Sequence, residues 1–213
     1  MLSKNLTGES GMNSNTEAEN ELLVIKKIVQ DSRNAVADNG WHYIYWGVIV
    51  TIALIINYWM ILNNSSMNSQ GMLWFVSMVS ASVIEMIITK RIEKNDKEKN
   101  FSGRLLSSLW GVSGACMFIF GFIGTLSGAY NPIFIFPVIC TVLGAAYFIS
   151  GTIQQVNWLK YITFGWWTGS LLMFIYPGIH SILIFAAMLI LFQIIPGIIL
   201  YKKWKASYTI VND

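Results

Sequence analysis

Six apolar stretches separated by short polar connections organise this chain, running from Trp41 to Leu62, Met72 to Thr89, Leu105 to Leu126, Pro132 to Ile153, Trp158 to Tyr176 and Ile179 to Tyr201. Each is close to the roughly 20 residues that a helix needs to cross about 30 Å of hydrocarbon. The pattern predicts an all-α membrane protein with six transmembrane helices. Ser127 to Asn131 and Pro177-Gly178 are too short to allow anything but antiparallel neighbours, so spans three and four, and five and six, are expected as hairpins. The longer uncharged loop from Asn63 to Gly71 joins the first pair in the same sense, giving three antiparallel hairpins. Pro132 opens the fourth span at a position where its missing N–H costs no helix hydrogen bond.

The first 40 residues have a different texture. Residues 1–15 are rich in Ser, Asn and Gly without periodicity, the composition of a disordered tail. Thr16 and Glu19 then form a T-x-x-E capping box, and Leu22, Ile25, Val29 and Val36 line one face of the segment that follows. Asn39-Gly40 is a stop signal. The expectation is a short cytoplasmic amphipathic helix over 16–40, a transmembrane domain over 41–205, and a cytoplasmic tail over 206–213. No short basic region followed by an apolar core stands at the start, so the first span is expected to double as the insertion signal.

Charge sets the orientation. All 14 Lys and Arg fall before Trp41, between Thr89 and Leu105, at Lys160, or after Leu200, and the three alternate connections carry no charged residue. Cationic connections are retained on the cytoplasmic side of a bilayer, which places the chain in the cell (inner) membrane with both termini inside. Charged residues make up 12% of the sequence and apolar ones 54%. Six spans then leave no room for a second globular domain. The net charge of +3 calls for no nucleic acid as partner. The lipid bilayer is the partner its cationic loops imply, because a basic residue near anionic headgroups gains roughly 1 kcal/mol.

Candidate chemistry is sparse. Glu85 is the one acid inside a span, and an intramembrane carboxylate is a functional candidate by default. It lies one turn before Thr89, where Lys90 and Arg91 can reach back to it. Gln193 sits deeper, three residues before Pro196, and a proline there frees the carbonyl of Phe192 and bends the helix. Glu85, Gln193 and Pro196 are therefore the candidate polar site. Asn57 reads as a headgroup-level residue, and His42 and His180 as separate interfacial side chains at opposite ends of their spans. Gly165 and Gly169 form a GxxxG, and Ser107, Gly111 and Ala115 a second small-residue stripe, both expected to serve close helix packing. Cys116 and Cys140 have no Cys or His at ligand spacing, so no metal or cofactor is expected. No lysine deep within a span, carboxylate pair or nucleophile motif is present, which points away from an enzyme.

Several short segments together carry a resemblance. Asp31-Ser32-Arg33 through Asn39-Gly40, Trp46-Gly47, the stretch from Gly144 to Gly151, and Pro196-Gly197-x-x-Leu200 followed by Lys resemble a family of small bacterial six-span membrane proteins with no established activity. The resemblance implies a fold and no site residues. The function expected is that of a regulatory, scaffold or sensor subunit acting through helix packing. Its protein partner would dock at residues 16–40 or 90–104. The alternative is a small-solute carrier or channel working as a homo-oligomer.

Overall fold

The computed structural model describes residues 20–24, 40–93 and 101–212. Residues 20–24 are helical with Leu22, Leu23 and Val24 exposed, and the remainder of the expected 16–40 helix before Gly40 lies outside the described residues, as do the 1–15 segment and residues 94–100.

Six long helices follow among the described residues. Helix α1 is Trp41–Leu62 and α2 is Met67–Glu93. Helix α3 runs as Phe101–Phe118, passes through a π-turn at Ile119–Ile123 and ends with Gly124–Leu126. A 3₁₀ turn, Pro132–Phe134, leads into α4, Ile135–Ile153, and α5 is Asn157–Ile175. Helix α6 comprises Ser181–Leu189, a second π-turn at Ile190–Ile194, and Ile195–Asn212. No strand occurs among the described residues.

Boundaries shift where capping chemistry outranks hydropathy. Helix α2 starts at Met67 rather than Met72 because the Ser66 hydroxyl accepts from the Ser69 amide at 3.2 Å, an N-cap bond. Helix α3 starts at Phe101 rather than Leu105, and α2 continues to Glu93, so much of the expected loop from Lys90 to Arg104 is helical. Helix α6 passes Tyr201 and reaches Asn212, since neither Gly nor Pro interrupts the intervening sequence. Asn131 caps the turn before α4, its Oδ1 accepting from the Ile133 amide at 3.1 Å with Pro132 at the first position.

Among the described residues five helices are long and apolar enough to cross a membrane: α1, α2 to Arg91, α3, α4 with its leading turn, and α6 to Ala206. Helix α5 has the length but is diluted by Asn157, Lys160, Thr163, Thr168 and Ser170. The Thr163 and Ser170 hydroxyls and the Trp167 indole are engaged. Thr163 Oγ1 donates to the Gly144 carbonyl at 3.1 Å, the Trp167 indole to Thr141 O at 3.3 Å, and Ser170 Oγ to Pro137 O at 2.7 Å. As the donor climbs α5 the acceptor descends α4, so the two run antiparallel, laced by a polar ladder. Trp167 lies so close that a Cβ on Gly144 would stand 2.4 Å from its indole nitrogen.

An aromatic cluster forms the centre. Trp166, wholly buried in α5, meets Tyr147 of α4 and Phe185 and Phe192 of α6 at ring distances near 6 Å. Tyr147 in turn contacts Tyr43 of α1 and Trp110 of α3. Helix α1 crosses α6 where both lack side chains. A Cβ on Gly40, whose φ is +62°, would stand 2.4 Å from the Gly197 carbonyl, and one on Gly47 would stand 2.6 Å from Ile194 Cγ1. With the pairing of His42 with Glu85 and the approach of Lys160 to Gly151, these contacts gather the start of α1, the end of α2, the starts of α3 and α5 and the last part of α6 at one end of the bundle. Every described cation of the membrane domain belongs to that end.

Candidate functional site

Three polar groupings interrupt the apolar packing, and the first joins α1 to α2. His42 Nδ1 lies 2.7 Å from Glu85 Oε1, and one turn along the Tyr45 hydroxyl donates to Ala81 O at 2.7 Å. At the far end of the same pair the Asn57 amide donates to Gln70 Oε1 at 3.3 Å. Glu85 therefore pairs with His42 rather than with Lys90 or Arg91. The two helices are antiparallel, and Glu85 sits at the height of the first turn of α1. His42 is thus paired rather than isolated, and Asn57 is buried against α2. Glu85 keeps about a quarter of its side-chain surface, 24%, so the carboxylate is not sealed in a dry core.

The second grouping is the π-turn of α6. Gln193 lies within it and Pro196 two residues beyond its end. A π-turn absorbs the register change that a proline imposes on the preceding carbonyls, so the helix continues through Pro196 without an open break. Gln193 packs its Cγ near Gly47 of α1 and is nearly enclosed, and its Oε1 has no hydrogen-bond partner. The π-turn of α3 is handled differently, because the Tyr130 hydroxyl donates to Phe120 O and Thr125 Oγ1 to Gly121 O at 2.7 Å. Tyr130 reaches in only because Gly124 has no Cβ, which would stand 2.5 Å from its ring. Glu85 and Gln193 approach α1 from α2 and from α6, and no hydrogen bond joins them among the described residues.

The third grouping escaped sequence reasoning. Tyr147, Ser150 and Gln154 follow one face of α4 toward the cationic end, and the Gln154 amide donates to the Tyr43 hydroxyl at 3.4 Å. Ser150 Oγ, Gln154 Oε1 and the Trp166 indole N–H have no hydrogen-bond partner although their residues are at most 1% exposed. The 3–4 spacing of Tyr147, Ser150 and Gln154 was a usable signal. Gln154 was obscured by its place at the expected end of a span.

The two small-residue stripes have different fates. On α5, a Cβ at Gly165 would stand 2.6 Å from the Phe192 ring and one at Gly169 2.1 Å from Met188 Sδ, so this pair packs against α6. On α3, Ser107, Gly111 and Ala115 are exposed, and a Cβ on Gly111 or Gly114 would meet nothing within 4 Å.

Two shallow surface grooves border α2. One, of about 210 Å³, lies between α1 and α2 around Ile52, Ala53, Ser77 and Ala81; the other, of about 230 Å³, lies between α2 and α3 around Phe75, Val79, Phe118 and Phe122. Both fall below the roughly 300 Å³ at which ligand pockets begin. Neither is lined by Glu85 or Gln193. Among the described residues no three His, Cys, Asp or Glu side chains gather to hold a metal.

Five membrane-length apolar helices around a shared aromatic core mark a multi-pass membrane protein. Comparison with protein-family models, with curated proteins and with solved structures finds no match.

Proposed function

We propose that the protein is a non-enzymatic subunit of the bacterial cell membrane that acts by presenting α2 and α3 to the helices of another subunit. In this reading α5 also crosses the membrane and brings the spans to six, the six helices thread as three hairpins, and the cationic end and both termini face the cytosol. The observation that supports it is unequal burial. In the apolar stretches of α2 and α3 only 6% of residues are buried, against 28% in α1, 39% in α4 and 44% in α6. Exposed small residues on α3 let a neighbouring backbone approach closely, the feature that drives association where lipid gives no hydrophobic force between helices. Extraction in mild detergent followed by light scattering tests this. A particle larger than one 24.0 kDa polypeptide is expected, reduced to a single chain by Gly111→Leu. A lone polypeptide from the wild type, with nothing co-purifying, overturns it. Reporter tags at Met67 and Ala129 should read as external and tags at either terminus as cytosolic.

One observation favours the carrier reading instead: the unpartnered, nearly enclosed Gln193 Oε1 lies within a π-turn, a helix irregularity frequent at functional sites. Solute uptake by reconstituted vesicles that is lost in Gln193→Leu would move the assignment there.

A further inference from the structure

We propose that an anionic phospholipid binds along α5, its phosphate on Lys160 and an acyl chain over Phe164, Trp167 and Leu171. The inference rests on the membrane reading above.

The argument starts from charge. Between Phe101 and Asn212 the sequence contains no Asp or Glu, yet Arg104, Lys160, Lys202, Lys203 and Lys205 all lie there. Helices α3 to α6 thus bring five cations to one end of the bundle and no carboxylate. Glu85, on α2, is taken up by His42.

Lys160 stands out among these cations because it is partly buried and has no ion-pair or hydrogen-bond partner among the described residues. Its stem is pressed onto α4, where a Cβ on Gly151 would stand 2.8 Å from its Cγ. It also occupies the first turn of α5, where the helix dipole disfavours a cation. An anion placed at Lys160 relieves both the unpaired charge and the dipole. Lys203 is committed differently, with its Nζ 5.6 Å from the Trp158 ring centroid.

The surface beyond Lys160 decides which anion. Lys160, Phe164, Trp167 and Leu171 follow the i, i+4, i+7, i+11 spacing of one helix face. Phe164 is 59% exposed and Leu171 61%, and Trp167 is held against α4 by its bond to Thr141 O. Eleven residues at 1.5 Å make this stripe roughly 16 Å long, about half the hydrocarbon thickness of a bilayer. A cation at the interface with a fixed aromatic wall reaching to mid-membrane fits one leaflet's phospholipid. Free phosphate would use only the cation.

The full-length protein in neutral detergent is titrated with phosphatidylglycerol, phosphatidylcholine or inorganic phosphate, reading bound lipid by native mass spectrometry and the thermal midpoint. Phosphatidylglycerol should bind and raise the midpoint, and the other two should not. Lys160→Gln should weaken phosphatidylglycerol binding about fivefold, the factor for one basic residue near anionic lipid. Lys160→Arg and Arg104→Gln should keep it. Should Lys160→Gln not fold, Phe164→Ala, at an exposed position, should weaken the same lipid with the lipid-free midpoint unchanged. Equal binding by wild type and Lys160→Gln, an equal shift from phosphatidylcholine, or the full shift from inorganic phosphate alone each overturns the proposal. Failure of the membrane reading shows separately, as protein recovered in the soluble fraction without detergent.

Discussion

Helices α1, α4, α5 and α6 meet in one aromatic core, with Trp166, Tyr147, Leu54 and Leu189 all 2% exposed or less. Helices α2 and α3 touch that core only along their edges, and large side chains such as Phe75, Val112 and Phe118 stay more than half exposed. The two groups cannot be told apart by apolarity, since α2 and α3 are as plainly membrane-length and apolar as α1. Helix α5 makes the point from the other side, being the one long helix among the described residues too polar to count as a span by composition, yet burying Leu159, Thr163, Trp166, Ser170 and Met173. Hydropathy reports what a helix tolerates around it. Packing is reported by where its small and hydroxyl residues recur.

Substitutions can break or sharpen that contrast, and truncation at the centre should do most. Trp166→Ala should cost about 3–5 kcal/mol, as for other buried aromatics, while Phe118→Ala on α3 should cost well under about 1 kcal/mol. Thermal unfolding in detergent measures both, and similar costs would erase the distinction. Glycine substitutions should differ in sign. Gly144→Ala drives a Cβ into the Trp167 indole and should destabilise by about 1–3 kcal/mol. Gly111→Ala meets open space and should stabilise the isolated chain by about 0.5–1 kcal/mol through backbone entropy. Ser170→Ala, which removes a rung between α4 and α5, should cost about 0.6 kcal/mol, the usual size of a hydrogen bond between membrane helices. Smallest of all, Glu85→Gln should change the overall midpoint by at most about 1 kcal/mol, because the pair is partly exposed. Its effect should appear instead as slower disulfide trapping between Tyr45→Cys and Ala81→Cys, which reads the α1–α2 contact alone.

Much of the helix layout was legible in the sequence, because apolar runs, Asn131-Pro132 and Pro177-Gly178 are local signals. The expected span from Trp158 to Tyr176 coincides closely with α5, Asn157–Ile175. Where the helices cross was half legible. Gly165 and Gly169 announced close packing, but nothing local distinguished them from Gly111, whose stripe on α3 is open. The polar pairings were not legible. His42 with Glu85 and Asn57 with Gln70 depend on the register of α1 against α2, which the unseen start of α2 at Met67 helps to set. The π-turns were hidden for another reason: Pro196 announces a disturbance in α6, but whether a helix kinks or inserts a residue is decided by its neighbours.

The ladder from Thr163, Trp167 and Ser170 to the carbonyls of α4 bears on biogenesis. A segment carrying Lys160 and several hydroxyls partitions poorly into lipid when it leaves the ribosome alone. With its donors matched to α4, the same segment hides them before meeting hydrocarbon. In the six-span reading proposed above, helix α5 should therefore be released into the bilayer as cargo of its predecessor, and a nascent chain lacking α4 should leave it stranded at the membrane surface.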